Sequence, residues 1–260
     1  MKQSIRKIFF TLYKSFYILL TYALILQSIY LCSKFILSFT IKIKIFSFLS
    51  FWFTSFMTIW CHIKCFLKNP GILSQSEVLE ENIYECNNKI EMCKRCNLLK
   101  IKRSHHCSIC NKCIIKMDHH CIWINNCVGL YNQKYFILLN FYSLLMCLNC
   151  GFIIIYKIIT CIKIQYNLKR EICVMSKLDI FLILINTFCS LIFGMLAFVM
   201  LVDQYCAIKT NTTGVEFLKK ERGEIKSFSK LIIEVFGHPF SYIWFLPIDK
   251  KKEKKKNFNK

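Results

Sequence analysis

Four windows of this chain, residues 15–33, 45–63, 135–156 and 180–202, contain no aspartate, glutamate, lysine or arginine. Their lengths are 19, 19, 22 and 23 residues, and a bilayer core takes about 20 helical residues to cross. In lipid every backbone N–H and C=O must be satisfied internally, which an apolar window of this length achieves as an α-helix. One such window also suits a buried helix of a soluble protein; four in 260 residues do not. The first is too long, and too poor in small residues at a cleavage position, for a signal peptide. The expected fold class is therefore an all-α integral membrane protein with four transmembrane helices.

Charge then orients the spans. With four crossings both termini and the middle loop share a face, and that face carries 27 Lys and Arg against 7 on the other: 4 in 1–14, 10 in 68–134 and 13 after 203, against 3 in 34–44 and 4 in 163–177. The positive-inside rule places the termini and the middle loop in the cytosol. The net charge of +21 thus reflects topology and attraction to the anionic lipid bilayer surface. No nucleic acid is expected as a partner, because the basic residues flank spans and no recognition-helix pattern accompanies them. A transporter or channel is disfavoured by the lack of a charged residue at mid-membrane depth.

The middle loop concentrates the chemistry. Seven of the 17 cysteines lie between Cys93 and Cys127, with His105, His106, His119 and His120 among them. Cytosolic thiols favour metal binding or catalysis over disulfides, and recurring Cys-x2-Cys pairs suit adjacent corners of a zinc tetrahedron. Two sites of three cysteines and one histidine would use six cysteines and two histidines. What is left over is a thiol, a histidine and an aspartate, the parts of an activated nucleophile. Cys121 is the candidate spare: His119 can act as its base, Asp118 can hold the tautomer, and His120 is free to ligate metal. The alternative, that Cys121 is itself a ligand and nothing reacts, stays open on spacing. Cysteines in the spans read as packing residues, while Cys161 and Cys173 fall on the far face, where pairing is open.

The segment CKRCNLLKIKRSHHCSICNKCIIKMDHHCIWINNCVGLYNQKYF, from Cys93 to Phe136, resembles the cysteine-rich domain of the DHHC-type protein S-acyltransferases, or palmitoyltransferases, and four spans with that domain between the second and third are also that family's arrangement. The resemblance implies one structural Zn2+ on Cys93, Cys96, His106 and Cys113 and a second on Cys107, Cys110, His120 and Cys127. It implies Cys121 as the acylated nucleophile, His119 as base and Asp118 as orienting carboxylate, with Lys100 and Arg103 near the phosphates of acyl-CoA. The implied reaction moves a palmitoyl-type group from acyl-CoA to Cys121 and on to cysteines of membrane-associated substrate proteins; the alternative is an inactive zinc-stabilised scaffold or adaptor.

Several positions depart from the family. Ile101 or Lys102 stands where a proline is usual, and Asn69 replaces an aspartate before Pro70-Gly71. Asn211-Thr212-Thr213-Gly214-Val215-Glu216 resembles the Thr-Thr-x-Glu motif with one extra residue, so either Thr212 or Thr213 carries its role. Leu231 occupies the place of an asparagine, on a short helix expected over 227–236 with Phe228, Leu231, Ile232 and Val235 on one face. Trp123 is expected at a cavity mouth or as filling in the zinc domain. The lysine-rich end, 250–256, reads as a disordered tail near anionic lipid. The expected domains are 1–66 (N-terminus and helices 1–2), 67–134 (zinc domain, core 93–136), 135–202 (helices 3–4) and 203–260 (C-terminal region). Span lengths suit the ER or Golgi better than the plasma membrane.

Overall fold

The computed structural model describes residues 2–75, 92–166 and 175–250. Cys173 and the lysine-rich residues 251–256 lie outside the described residues. Within them the order is α1 (Lys2–Leu37), α2 (Ile41–Leu67), β1 (Met92–Cys93), β2 (Leu98–Leu99), β3 (Ser104–Cys107), β4 (Lys112–Ile115), β5 (His119–Cys121), β6 (Asn126–Val128), α3 (Gln133–Tyr166), α4 (Lys177–Lys209), α5 (Gly214–Leu218) and α6 (Phe228–Phe236), then a 3-10 turn at Tyr242–Phe245. Four stretches are long and apolar enough to cross a membrane: Ser15–Leu37, Ile41–Leu67, Gln133–Ile164 and Lys177–Lys209. The chain is a multi-pass membrane protein with a cysteine-rich insert between its second and third spans. Each helix overshoots its charge-free window, because lysines at an interface keep their stems on apolar surface while the ammonium reaches water.

The chain divides into two compact units, each assembled from separated stretches. The first comprises Met1–Phe66, Cys121–Asn126 and Leu139–Val202. Its core joins all four spans through Leu31, Cys32, Phe35, Phe51, Met146, Cys150, Ile153 and Ile183. Lipid provides no hydrophobic drive between helices, so interhelical polar contacts help register them. Asn149 accepts from Ser50 at 3.0 Å and donates to Thr54 at 3.2 Å, and Asn186 donates to Ser28 at 3.0 Å. Large apolar side chains such as Leu19, Leu49, Leu148 and Leu191 stay exposed on the helix surfaces, as a lipid solvent requires. Cys161 is disulfide-bonded.

The second unit comprises Leu67–His120, Cys127–Leu138 and Asp203–Lys260. Strands of two to four residues in separate two-stranded sheets make up its cysteine-rich part, and isolated hairpins of this size are marginal in water without a staple. Alternation along β4 divides the small core: Cys113 and Ile115 pack with Leu73, Leu99 and Leu130, while Ile114 packs with Met117, Cys107 and Cys127. α2 stops at Lys68-Asn69-Pro70-Gly71, where Pro70 offers no N–H and Asn69 Oδ1 accepts from the Gly71 and Ile72 amides at 2.9 and 2.8 Å. Asparagine thus makes the turn expected of aspartate. α6 buries Leu231 and Val235 against Ile208, Ile137 and Phe236. Leu231 therefore replaces a polar residue inside an apolar cluster and strands no partner there, while Phe228 stays exposed against Tyr205.

Candidate active site and metal centres

Three turns of the cysteine-rich segment share one design, at a constant step of 14 residues. Cys93-x2-Cys96-Asn97, Cys107-x2-Cys110-Asn111 and Cys121-x2-Ile124-Asn125 each end on an asparagine. All three asparagines have positive φ, 51°, 53° and 44°, a left-handed conformation that asparagine tolerates better than most residues. In the first turn the Cys96 and Asn97 amides both donate to the Cys93 carbonyl. Two of the turns carry paired thiols. The third carries one, Cys121, with buried Ile124 in place of the second.

The paired thiols complete two clusters. Cys93, Cys96, His106 and Cys113 bring one ligand atom each within 4.8 Å of one another, and so do Cys107, Cys110, His120 and Cys127. The antiparallel register sets His106 opposite Cys113, which delivers two ligands to one cluster from one hairpin. In the first, His106 Nδ1 lies 3.6, 3.2 and 3.9 Å from the Cys93, Cys96 and Cys113 sulfurs. In the second, His120 Nδ1 lies 3.8, 3.3 and 3.6 Å from those of Cys107, Cys110 and Cys127. A tetrahedral zinc with bonds of about 2.0 Å to nitrogen and 2.3 Å to sulfur has edges of about 3.5–3.8 Å. Donor set and spacing both fit that ion. His105 belongs to neither cluster: it is buried and its Nδ1 lies 3.1 Å from Lys219 Nζ.

Asp118 and His119 sit just before this second histidine ligand. His119 Nδ1 faces Asp118 Oδ2 at 2.8 Å, and its ring meets Phe136 edge-on at 5.2 Å. Two further donors hold the carboxylate: the Gly214 amide reaches Oδ1 at 2.6 Å, and Gln204 Nε2 reaches Oδ2 at 2.9 Å. Gln204 is held in turn by Gln133 Nε2 at 3.1 Å. Burial alone would raise the Asp118 carboxyl, but the hydrogen bonds from His119, Gly214 and Gln204 outweigh it and keep the group below the usual aspartate range. A fixed carboxylate on Nδ1 directs the basic character of His119 to Nε2. Gln133 and Gln204 escaped the sequence reading because glutamines 71 residues apart form no motif.

Glu216 resolves the threonine motif. Thr213 caps α5, with its hydroxyl accepting from the Glu216 amide and Glu216 Oε2 accepting from the Thr213 amide at 2.8 Å. Thr213, not Thr212, is thus the threonine that pairs with Glu216, and the Gly214 amide meets Asp118. The signal was present in Thr-x-x-Glu, a capping box.

Arg103 is engaged within the protein. Its guanidinium donates to both Glu216 oxygens at 2.6 and 2.8 Å and to Asn211 Oδ1 and carbonyl at 2.8 and 2.9 Å. Four of its five N–H groups tie the β3 hairpin to α5, so the arginine acts as a strut of the site. Trp123, in the first unit, packs edge-on against Tyr17 at 5.3 Å and Phe193 at 5.1 Å; it is a contact of spanning helices, not filling in the metal domain.

Four spans, two thiol-imidazole clusters and a carboxylate-held histidine define a membrane protein built around a metal-stapled thiol domain. The DHHC palmitoyltransferase family matches residues 86–221, more than half of the chain, and the chain belongs to that family. It is 31% identical to palmitoyltransferase ZDHHC3 of Rattus norvegicus and to that of Homo sapiens, each over 199 residues covering 74% of this chain and 66% of the relative. Palmitoyltransferase ZDHHC7 of Rattus norvegicus is 28% identical over 192 residues, 72% of this chain and 62% of the relative. The chain thus spans just under two thirds of the length of these relatives.

Proposed function

We propose that this protein is a protein-cysteine S-palmitoyltransferase that uses Cys121 as its nucleophile. The observation that carries the reading is the Asp118–His119 pair at 2.8 Å, placed directly before Cys121 and braced by three donors on the carboxylate. His119 and Cys121 are two apart in sequence.

His119 Nε2 accepts the Cys121 proton as the sulfur attacks the acyl-CoA carbonyl. The new S–C bond forms as the CoA S–C bond breaks, and the imidazolium returns its proton to the CoA thiolate. A substrate-protein cysteine then attacks the acyl-enzyme in the same way and restores the Cys121 thiol. One thioester replaces another at each step, so no ATP is needed. Asp118 holds the histidine and stabilises its charged form. Lys100, with Arg103 through the N–H it does not use on Glu216 and Asn211, is the candidate for the acyl-CoA phosphates.

The two clusters would hold structural Zn2+, filled by protein ligands and stapling the hairpins. Orientation follows from charge and redox chemistry together. Cys161 lies near the C-terminal end of α3 and the thiol-rich segment precedes its N-terminal end. A disulfide belongs in an oxidising compartment and free zinc-binding thiols in the cytosol, so the termini and zinc domain are cytosolic, in an ER or Golgi membrane. We keep 1–66, 67–134, 135–202 and 203–260 as a proposed division of the chain by segment, beside the two compact units into which the folded chain divides. Substrates are membrane-associated proteins with cytosolic cysteines.

Labelled palmitoyl-CoA should leave label on the purified protein that neutral hydroxylamine removes, and Cys121→Ser and His119→Ala should abolish or sharply slow it. A wild type that retains its metal and takes no label would sink the proposal.

A further inference from the structure

The third turn, Cys121 to Asn125, has the backbone form of the two metal-binding turns but only one thiol, so no metal can staple it as one staples the others. Something else must hold it, and α2 supplies two contacts. His62 Nε2 lies 3.1 Å from the Trp123 carbonyl. One turn farther along, the Cys65 and Phe66 carbonyls accept Asn126 Nδ2 at 3.0 and 3.3 Å.

His62 is 2% exposed within the Ile41–Leu67 span, and a buried polar ring at that depth is expensive unless both nitrogens are satisfied. Both are. The Tyr22 hydroxyl meets Nδ1 at 3.0 Å, and the two rings touch edge-on at 5.1 Å. A carbonyl can only accept, so Nε2 carries the hydrogen and Nδ1 accepts from the tyrosine. The contacts form a chain: the Trp123 carbonyl fixes the Nε2–H tautomer of His62 on α2, which donates to the loop two residues beyond Cys121, and the Tyr22 hydroxyl on α1 holds the ring by donating to the Nδ1 that this tautomer leaves bare.

We propose that His62 is a positioning residue, whose hydrogen bond to the Trp123 carbonyl does for the Cys121 turn what a metal does for its two counterparts. The inference rests on the reading of Cys121 as the acylated residue. Small misplacement of a nucleophile costs up to about a hundredfold in rate. His62→Leu should therefore slow acyl-enzyme formation roughly ten- to a hundredfold through kcat, with KM for palmitoyl-CoA little changed and both metals retained. His62→Gln sets an amide N–H at the Nε2 position and should recover most of the rate.

An active wild type with His62→Leu within about twofold of it, or with His62→Gln as slow as His62→Leu, overturns the inference. A wild type that takes no label counts instead against the role of Cys121. Should His62→Leu fail to assemble, Tyr22→Phe carries the test: it leaves Nδ1 without its donor and loosens the ring while removing only a hydroxyl, so a loss of about threefold or more supports the chain and an unchanged rate overturns it.

Discussion

Replacing Arg103 with methionine separates a structural arginine from a phosphate-binding one. The Glu216 side chain is 3% exposed and the Arg103 side chain 20%, so the variant leaves a carboxylate charge buried without its cation. Removing one partner of a buried ion pair costs about 3–5 kcal/mol, which corresponds to roughly 10²- to 4 × 10³-fold in the equilibrium for local opening. Hydrogen exchange in detergent micelles measures this at the amides of residues 213–218, whose protection factors should fall by that amount. Arg103→Met with Glu216→Met removes the stranded charge and should regain a substantial part of the protection. Acidity gives an independent check. Burial would raise the Glu216 carboxyl, but Arg103 and the Thr213 amide hold it below the usual glutamate range. A group depressed in the folded state contributes in full above its unfolded value, about 4.3, and the contribution fades as pH falls through the folded value. Protection in the wild type should therefore weaken as pH drops below about 4, and much less in the double variant. Unchanged protection in Arg103→Met, with a raised KM for palmitoyl-CoA that Glu216→Met does not correct, would refute the reasoning and leave Arg103 to the phosphates alone.

Metal analysis should give two zincs per chain by the two four-ligand clusters, and His106→Ala should release one while raising the titratable thiol count. Gln204→Leu removes a donor from Asp118 and strands the Gln133 amide, at about 1–3 kcal/mol; slower acyl-enzyme formation with metal content intact is the expected result, and an unchanged rate would show the glutamine pair to be packing only. Gly129→Ala would set a Cβ 2.6 Å from the Pro70 carbonyl and 2.8 Å from Ile114, an overpacking cost of about 1–3 kcal/mol that should lower the temperature of inactivation.

The spans were legible because a bilayer imposes length and charge rules that a sequence displays directly, and metal binding because Cys-x2-Cys spacing is local; which ligands share an ion was implied by the family resemblance. What escaped depended on pairs distant in sequence. Arg103 finds Glu216 across 113 residues, and a basic residue beside a binding loop looks the same on the page whether it meets phosphate or carboxylate. Gln204 joins Asp118 across 86 residues and belongs to no motif. The threonine register was different in kind: both Thr212 and Thr213 fitted the family's Thr-Thr-x-Glu pattern, whereas counting back three from Glu216 to a capping hydroxyl selects Thr213 on backbone grounds alone.

The 14-residue step also bears on the proposal that Cys121 is the thiol that reacts. His105-His106-Cys107 and His119-His120-Cys121 occupy equivalent places in successive modules, and Cys107 is a ligand of the second cluster. By the same step Cys121 would open a third cluster completed at 124, 134 and 141. Those positions hold Ile124, Lys134 and Phe141; Ile124 is buried, and Lys134 donates to the Ile243 and Ile248 carbonyls. The third set of ligands is missing, so Cys121 keeps the turn geometry of a metal-binding cysteine without a metal to engage its lone pairs. A parallel change distinguishes the two flanking histidines. His105 follows Ser104 and faces Lys219, while His119 follows Asp118 and bonds to it. Burial, with the Lys219 cation adding to it, lowers the His105 imidazole although Glu221 lies 3.9 Å from its Nε2, whereas Asp118 on Nδ1 leaves the Nε2 lone pair of His119 as the proton acceptor.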